Sequence, residues 1–181
     1  MHTHYNKLES DFNFYLKYHN KFWNKIVHLI CIPGLCFSIF VLLNNIDLSY
    51  NFLNTKTEID CIFSIKSSLI LYSFYIIYYL YLSPVIGFFC MLFYLIILIL
   101  SNLFFCTVNN SYIWALIIHI SSWIFQILSH KFIEGNSPAF KEGLIQSFLT
   151  APLFIVVEIL EFITNYKWIK RINIQENLLN T

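Results

Sequence analysis

Five long stretches of this chain carry almost no charge, and that pattern constrains its fold more than any other feature. They cover residues 26–43, 62–82, 84–106, 112–128 and 144–163. A helix needs about 20 mostly apolar residues to cross the hydrocarbon core of a bilayer, so each run is long enough to be a candidate. Over 181 residues only 12% are charged and 58% are hydrophobic. A soluble domain carries about 25% charged residues. The expected fold class is therefore all-α, a multi-pass transmembrane helical bundle forming a single integral membrane domain over 1–181, with a core of about 10–165 and polar, mobile termini.

Charge placement orients the set. Lys7, Lys17, Lys21 and Lys25 precede the first run, Lys131 and Lys141 lie between the fourth and fifth, and Lys167, Lys170 and Arg171 follow the fifth. The loop after the first run has Lys56 against Asp47, Glu58 and Asp60. Basic clusters favour the cytoplasmic side. Four full spans keep all three clusters there, and a fifth would carry the last one across. The fifth run contains Pro152, Glu158 and Glu161, and charge facing lipid is costly. It reads as a re-entrant or interfacial helix, or as a span that breaks the rule, with the proline and carboxylates favouring the former.

Other classes recede. A net charge of +1 gives no electrostatic case for nucleic acid. The polar N-terminus does not follow the signal-peptide pattern. The five cysteines stand mostly in apolar runs without a CxxC pair, and read as small buried apolar residues rather than a disulfide frame or zinc site. His2 and His4 fall in a terminus expected to be unstructured. Ser83-Pro84 marks a tight connection, and residues 107–111 a polar turn.

Four spans bring the start of the first run and the end of the fourth to one face. The first of these segments, YLKYHNKFWNKIVH, carries His19, Asn20, Asn24 and His28; the second, WIFQILSHKFIE, carries Trp123, Gln126, His130 and Glu134. Asn20, Asn24 and His28 recur every four residues, one face of a helix. His19 and His28 would point apart on a continuous helix, so a shared site needs a bend near Asn20, a good N-cap residue. His119 lies eleven residues before His130, about 16 Å along a helix. Imidazoles with a carboxylate suit a transition metal with open positions, while Asn and Gln suit roles that orient imidazoles by hydrogen bonding. For any one histidine, an interfacial anchor is about as common an explanation as a ligand.

Those two segments resemble the signatures of the Mpo-type family of 2-hydroxy fatty acid dioxygenases, once catalogued as a domain of unknown function and represented in phytosphingosine breakdown. FYLKYHNKFWNKIVHLICIP resembles an aromatic-rich Tyr-His followed nine residues on by His and then Pro. WIFQILSHKFIEGNSPA resembles W-x-x-Q-x-x-G-H-x-x-x-E-x-x-x-P-A, and LIQSFLTAPLFIVVEIL resembles the family's tail. Ser129 stands where the family has glycine, a small-for-small exchange.

The resemblance implies a multi-pass endoplasmic-reticulum enzyme that uses Fe(2+) and dioxygen to shorten a 2-hydroxy long-chain fatty acid by one carbon. His19, His28 and His130 would hold the metal, with Glu134 as ligand, proton carrier or orienting partner. Asn24 and Gln126 would orient. His119 is an extra ligand or a buried hydrogen-bonded side chain. Glu158 would pair with a cation or a site histidine. Lys21, Lys25 or Lys131 would attract the substrate carboxylate. Two other classes compete: a non-catalytic lipid-binding or scaffold protein, and a small transporter with Glu158 and His119 as relay groups, against which stands the lack of repeat halves or paired broken helices.

Overall fold

A computed structural model describes residues 2–44, 66–135 and 140–169. Pro138, most of the loop after the first apolar run, Lys170 and Arg171 lie outside the described residues. Among those described, every regular element is helical: α1 (His2–Tyr18), α2 (Phe22–Leu43), α3 (Ser67–Leu82), α4 (Pro84–Thr107), α5 (Ser111–Ser129), continued by a π-helical turn (His130–Glu134), and α6 (Phe140–Thr164). Among the described residues, three helical stretches are long and apolar enough to cross a membrane: Phe22–Leu43, Pro84–Thr107 and Ser111–Glu134. The apolar α3, at 16 residues, is shorter.

Helix α1 corrects the expectation of an unstructured terminus. Leu8, Phe12 and Tyr15 recur at helical spacing, and all three are buried. Lys7 and Lys17 stay exposed on the other side. One apolar stripe is enough to dock a helix on a core, and α1 lies against α6 and α3.

The chain then breaks. Lys21, extended at φ −83 and ψ 132, is the N-cap of α2. Asn20, the expected cap, instead donates its amide to the carbonyl of Lys17 at 3.1 Å. The bend that His19 and His28 require is present, one residue later than the sequence suggests.

The α3–α4 hairpin is tight for identifiable reasons. Pro84 opens α4, where a missing N–H is harmless, and Ser83 Oγ accepts from the Ile86 N–H at 3.5 Å. Gly87 permits the close approach: a Cβ there would stand 2.6 Å from the backbone nitrogen of Leu80. The α4–α5 turn places Asn110 at φ 54, a left-handed conformation that Asn tolerates.

Helix α2 packs most extensively on α5, and α3 on α4. In α6, five consecutive residues, Leu153 to Val157, are buried. A helix buried on every side is enclosed by its neighbours, here α1, α2 and α4. Pro152 inside α6 cannot donate to the Phe148 carbonyl, and Tyr75 donates its hydroxyl there instead at 3.4 Å. Outward faces are apolar: Ile77, Ile96 and Ile120 are 69%, 59% and 57% exposed. Apolar side chains in rows suit hydrocarbon better than water.

At the far end of α2, Asn44 donates to Asn102 at 2.8 Å and accepts from Ser68 Oγ at 2.5 Å. These bonds tie the end of α2 to the start of α3 and the end of α4. Cys106 at that end is disulfide-bonded, which corrects its reading as a plain apolar filler. Cys31, Cys36 and Cys90 are free thiols.

Candidate metal centre

Three histidines from three local structures meet at the other end of α2. His19 comes from the α1–α2 break, His28 from the second turn of α2, and His130 from the first residue of the π turn. Their ligand atoms all lie within 4.8 Å of one another. Ring centroids are 4.5 Å apart for His19–His28, 4.8 Å for His19–His130 and 4.9 Å for His28–His130. The three ring planes stand nearly perpendicular in pairs, at 85°, 77° and 83°. Three imidazoles face one point from three directions.

Backbone carbonyls set two tautomers. His19 Nδ1 is 2.9 Å from the Tyr15 carbonyl oxygen and His28 Nδ1 is 3.0 Å from that of Asn24. A carbonyl only accepts, so each Nδ1 carries the proton and each Nε2 keeps its lone pair. His28 Nε2 stands 3.2 Å from His130 Nε2. Metal–nitrogen bonds of about 2.1 Å place two ligands of one ion about 3.0–3.4 Å apart, and this pair has that spacing. His19 Nε2 and His130 Nδ1 are buried without a hydrogen-bond partner among the described residues. Orphaned buried nitrogens are costly, and a metal ion would satisfy the one on His19. The set fits a first-row divalent cation on chemical grounds, since imidazole suits iron, zinc, copper and nickel alike.

The surroundings keep His19 neutral. Burial pushes its pKa from 6.5 down to about 2; the neighbouring His28 works in the same direction, against the hydrogen bond to Tyr15. The Tyr15 ring stacks on His19 at 4.0 Å and 16°. Burial raises the Tyr15 phenol well above its usual range, and the Glu158 charge adds to that. Tyr15 was not singled out by sequence; its position four residues before His19 was the available signal.

Glu134 does not join the three-histidine cluster. Its Oε1 accepts from the Lys21 backbone N–H at 2.8 Å and from Asn24 Nδ2 at 3.1 Å. The carboxylate caps α2 from another helix, at the end where backbone N–H groups are unsatisfied and the dipole favours negative charge. Asn24, fully buried, also accepts from Ser129 Oγ at 2.6 Å. Ser129 thus makes a bond that a glycine at that position could not.

The remaining candidates spread out. Gln126 lines the cavity described below and donates to the Ser122 carbonyl at 3.3 Å. His119 accepts from the Trp123 indole at Nε2, 3.3 Å, and its Nδ1 lies 2.9 Å from Ser38 Oγ. Both of its ring nitrogens are engaged, and it stands outside the cluster. Glu158 forms an ion pair with Lys25 at 2.6 Å. Lys131 is exposed, its Nζ 5.7 Å from the ring centre of Phe132.

A cavity of about 370 Å³ opens from the cluster into the bundle. His19, His28 and His130 line one end, and apolar and aromatic side chains line the rest, including Ile32, Phe40 and Tyr72. That volume is in the range of small-molecule sites. The lining thus combines a cluster of imidazoles with a mostly apolar wall.

The match to known proteins is extensive. A family described as 2-hydroxy-palmitic acid dioxygenase Mpo1-like matches residues 5–163. The chain is 29% identical over 155 residues to 2-hydroxy-palmitic acid dioxygenase MPO1 of Saccharomyces cerevisiae, covering 84% of this chain and 79% of that protein. No solved structure matches it.

Proposed function

The chain belongs to the Mpo1-like family, and from that premise we propose that it is an Fe(II)-dependent dioxygenase that removes the carboxyl carbon of 2-hydroxy long-chain fatty acids. The overall change balances as R–CH(OH)–COOH + O2 → R–COOH + CO2 + H2O. The observation that carries the reading is three convergent imidazoles at the polar end of an apolar cavity.

Iron held by His19, His28 and His130 would supply dioxygen chemistry and Lewis-acid polarisation of the substrate's oxygens. The protein's own part is to prepare that corner. The Tyr15 and Asn24 carbonyls hold two imidazoles with Nε2 inward. Glu134 and Asn24 brace the start of α2 against the π turn, so His28 and His130 keep their separation. Gln126 stands beside the histidines on the cavity wall. Apolar walls receive the alkyl tail and exclude water. Lys25, paired with Glu158, offers the substrate carboxylate little net charge.

Four spans, α2 to α5, with α6 enclosed as a re-entrant element, would place this single domain in the endoplasmic-reticulum membrane with the histidines at the cytoplasmic face. The Cys106 disulfide at the opposite end supports that orientation, because disulfides persist in oxidising compartments.

The test is direct. Membranes containing the protein are incubated with labelled 2-hydroxy sixteen-carbon acid, Fe(II) and oxygen. The acid one carbon shorter is expected, and His130→Ala is expected to abolish it along with bound iron. Full turnover by His130→Ala would remove that residue from the site, and purified protein that never takes up iron would point to a lipid-binding role.

A further inference from the structure

The depth of the cavity can be gauged along α2. That helix lines the cavity from His28 to Phe40, a rise of about 18 Å at 1.5 Å per residue. An extended chain advances about 1.2 Å per bond, from ~3.5 Å per three-bond residue. The depth therefore takes about 15 bonds of straight alkyl chain beyond the histidines.

Two buried rings stand at the bottom. The Ser68–Asn44 hydrogen bond sets the register between the start of α3 and the end of α2. Counting back four residues along α2 and forward four along α3 puts Phe40 level with Tyr72. Both line the cavity, and they are only 4% and 9% exposed. The Tyr72 hydroxyl donates to the Met91 carbonyl at 3.0 Å, pinning its ring to α4. Several polar atoms in and around this part of the cavity are engaged: Ser38 with His119, His119 with Trp123, and Tyr94 with the Pro152 carbonyl at 2.9 Å. These side chains offer a ligand apolar surface and a wall.

We propose that Phe40 and Tyr72 form the floor of the acyl site and set the upper limit on the length of the 2-hydroxy fatty acid that can be seated. The inference rests on the dioxygenase reading for its substrate class, but the floor is a property of the cavity alone. An acid longer than the cavity meets two pinned rings. Truncating Phe40 opens space beneath the tail without touching the histidines.

The test offers the purified iron-loaded protein an equimolar mixture of saturated 2-hydroxy acids from fourteen to twenty-four carbons. Retained acids are read by mass spectrometry, and products separately in membranes with oxygen. Wild type is expected to retain acids up to about sixteen carbons. Phe40→Ala is expected to raise the twenty-to-sixteen-carbon ratio at least about tenfold, since one mis-seated methylene is worth about 10–200-fold in discrimination. Phe40→Leu, a milder change, is expected to shift the ratio the same way and serves if the alanine variant does not fold. An unchanged ratio in a folded, iron-loaded variant overturns the floor. A shifted retention ratio with no product from any protein keeps the floor and overturns the dioxygenase reading. A wild type that retains none of the acids overturns both.

Discussion

Glu134 is the residue at which two chemistries separate. Its carboxylate receives the Lys21 N–H and the Asn24 amide, so it acts on the imidazoles through the start of α2. Glu134→Ala should lower stability by about 0.5–2 kcal/mol, as loss of an N-cap does. It should also weaken iron retention by about 10–100-fold, as loss of a group orienting a ligand does. Glu134→Gln keeps an acceptor oxygen and should retain most of the metal. Equal loss in both variants, read as iron per protein, would put the carboxylate's charge on the metal instead. His19 makes a second prediction. Its pKa is pushed from 6.5 down to about 2 in the folded protein, so between those values the unfolded state binds more protons. Stability of the metal-free protein therefore rises with pH through that window and falls as pH drops below 6.5. Melting of the iron-stripped protein between about pH 7 and about pH 5 should show that slope, and His19→Asn should make it shallower. Identical slopes would remove the claim. The three histidines were legible as candidates because imidazole carries its chemistry in the side chain itself, and the family resemblance singled them out as ligands. The partners of Glu134 were not legible: they lie more than a hundred residues away and depend on which helix ends meet.

Elements differ in how openly the sequence declares them. The long runs announced themselves, since a helix facing lipid needs no polar face. The hairpin at Ser83-Pro84 and the turn at 107–111 were equally plain, because Pro, Ser and Asn have local backbone preferences. Helix α1 was missed because only a stripe of it is apolar: Leu8, Phe12 and Tyr15 among polar neighbours. The π turn at His130–Glu134 was missed too. A single widened turn leaves no mark in the hydrophobic pattern, although such turns often sit at functional sites. It closes at Gly135, held at φ 77. One prediction belongs at this scale. Gly87 lets α3 and α4 approach, and a Cβ would stand 2.6 Å from backbone atoms of Leu80. Gly87→Ala should cost about 1–3 kcal/mol by overpacking, seen as a lower melting temperature in detergent with iron binding intact. An unchanged melting temperature would mean the hairpin relaxes freely.

For the whole molecule, the prediction concerns sidedness. Basic residues cluster around the histidine end, and the disulfide of Cys106 lies at the other. An epitope on the N-terminus should be digested by protease added outside sealed microsomes, and Cys106 should resist thiol reagents until the protein is reduced. A protected epitope would reverse the orientation. By itself the sequence determined that the chain is helical and apolar, in what order its runs come, and which imidazoles are available, because hydropathy and side-chain chemistry are local properties. Only the tertiary structure decided that three of those imidazoles share one corner while His119 turns to Ser38 and Trp123, that Lys25 pairs with Glu158, and that Phe40 and Tyr72 line the same cavity as the histidines. Those outcomes depend on helix register and on which faces meet, and register is set by contacts between residues far apart in the chain.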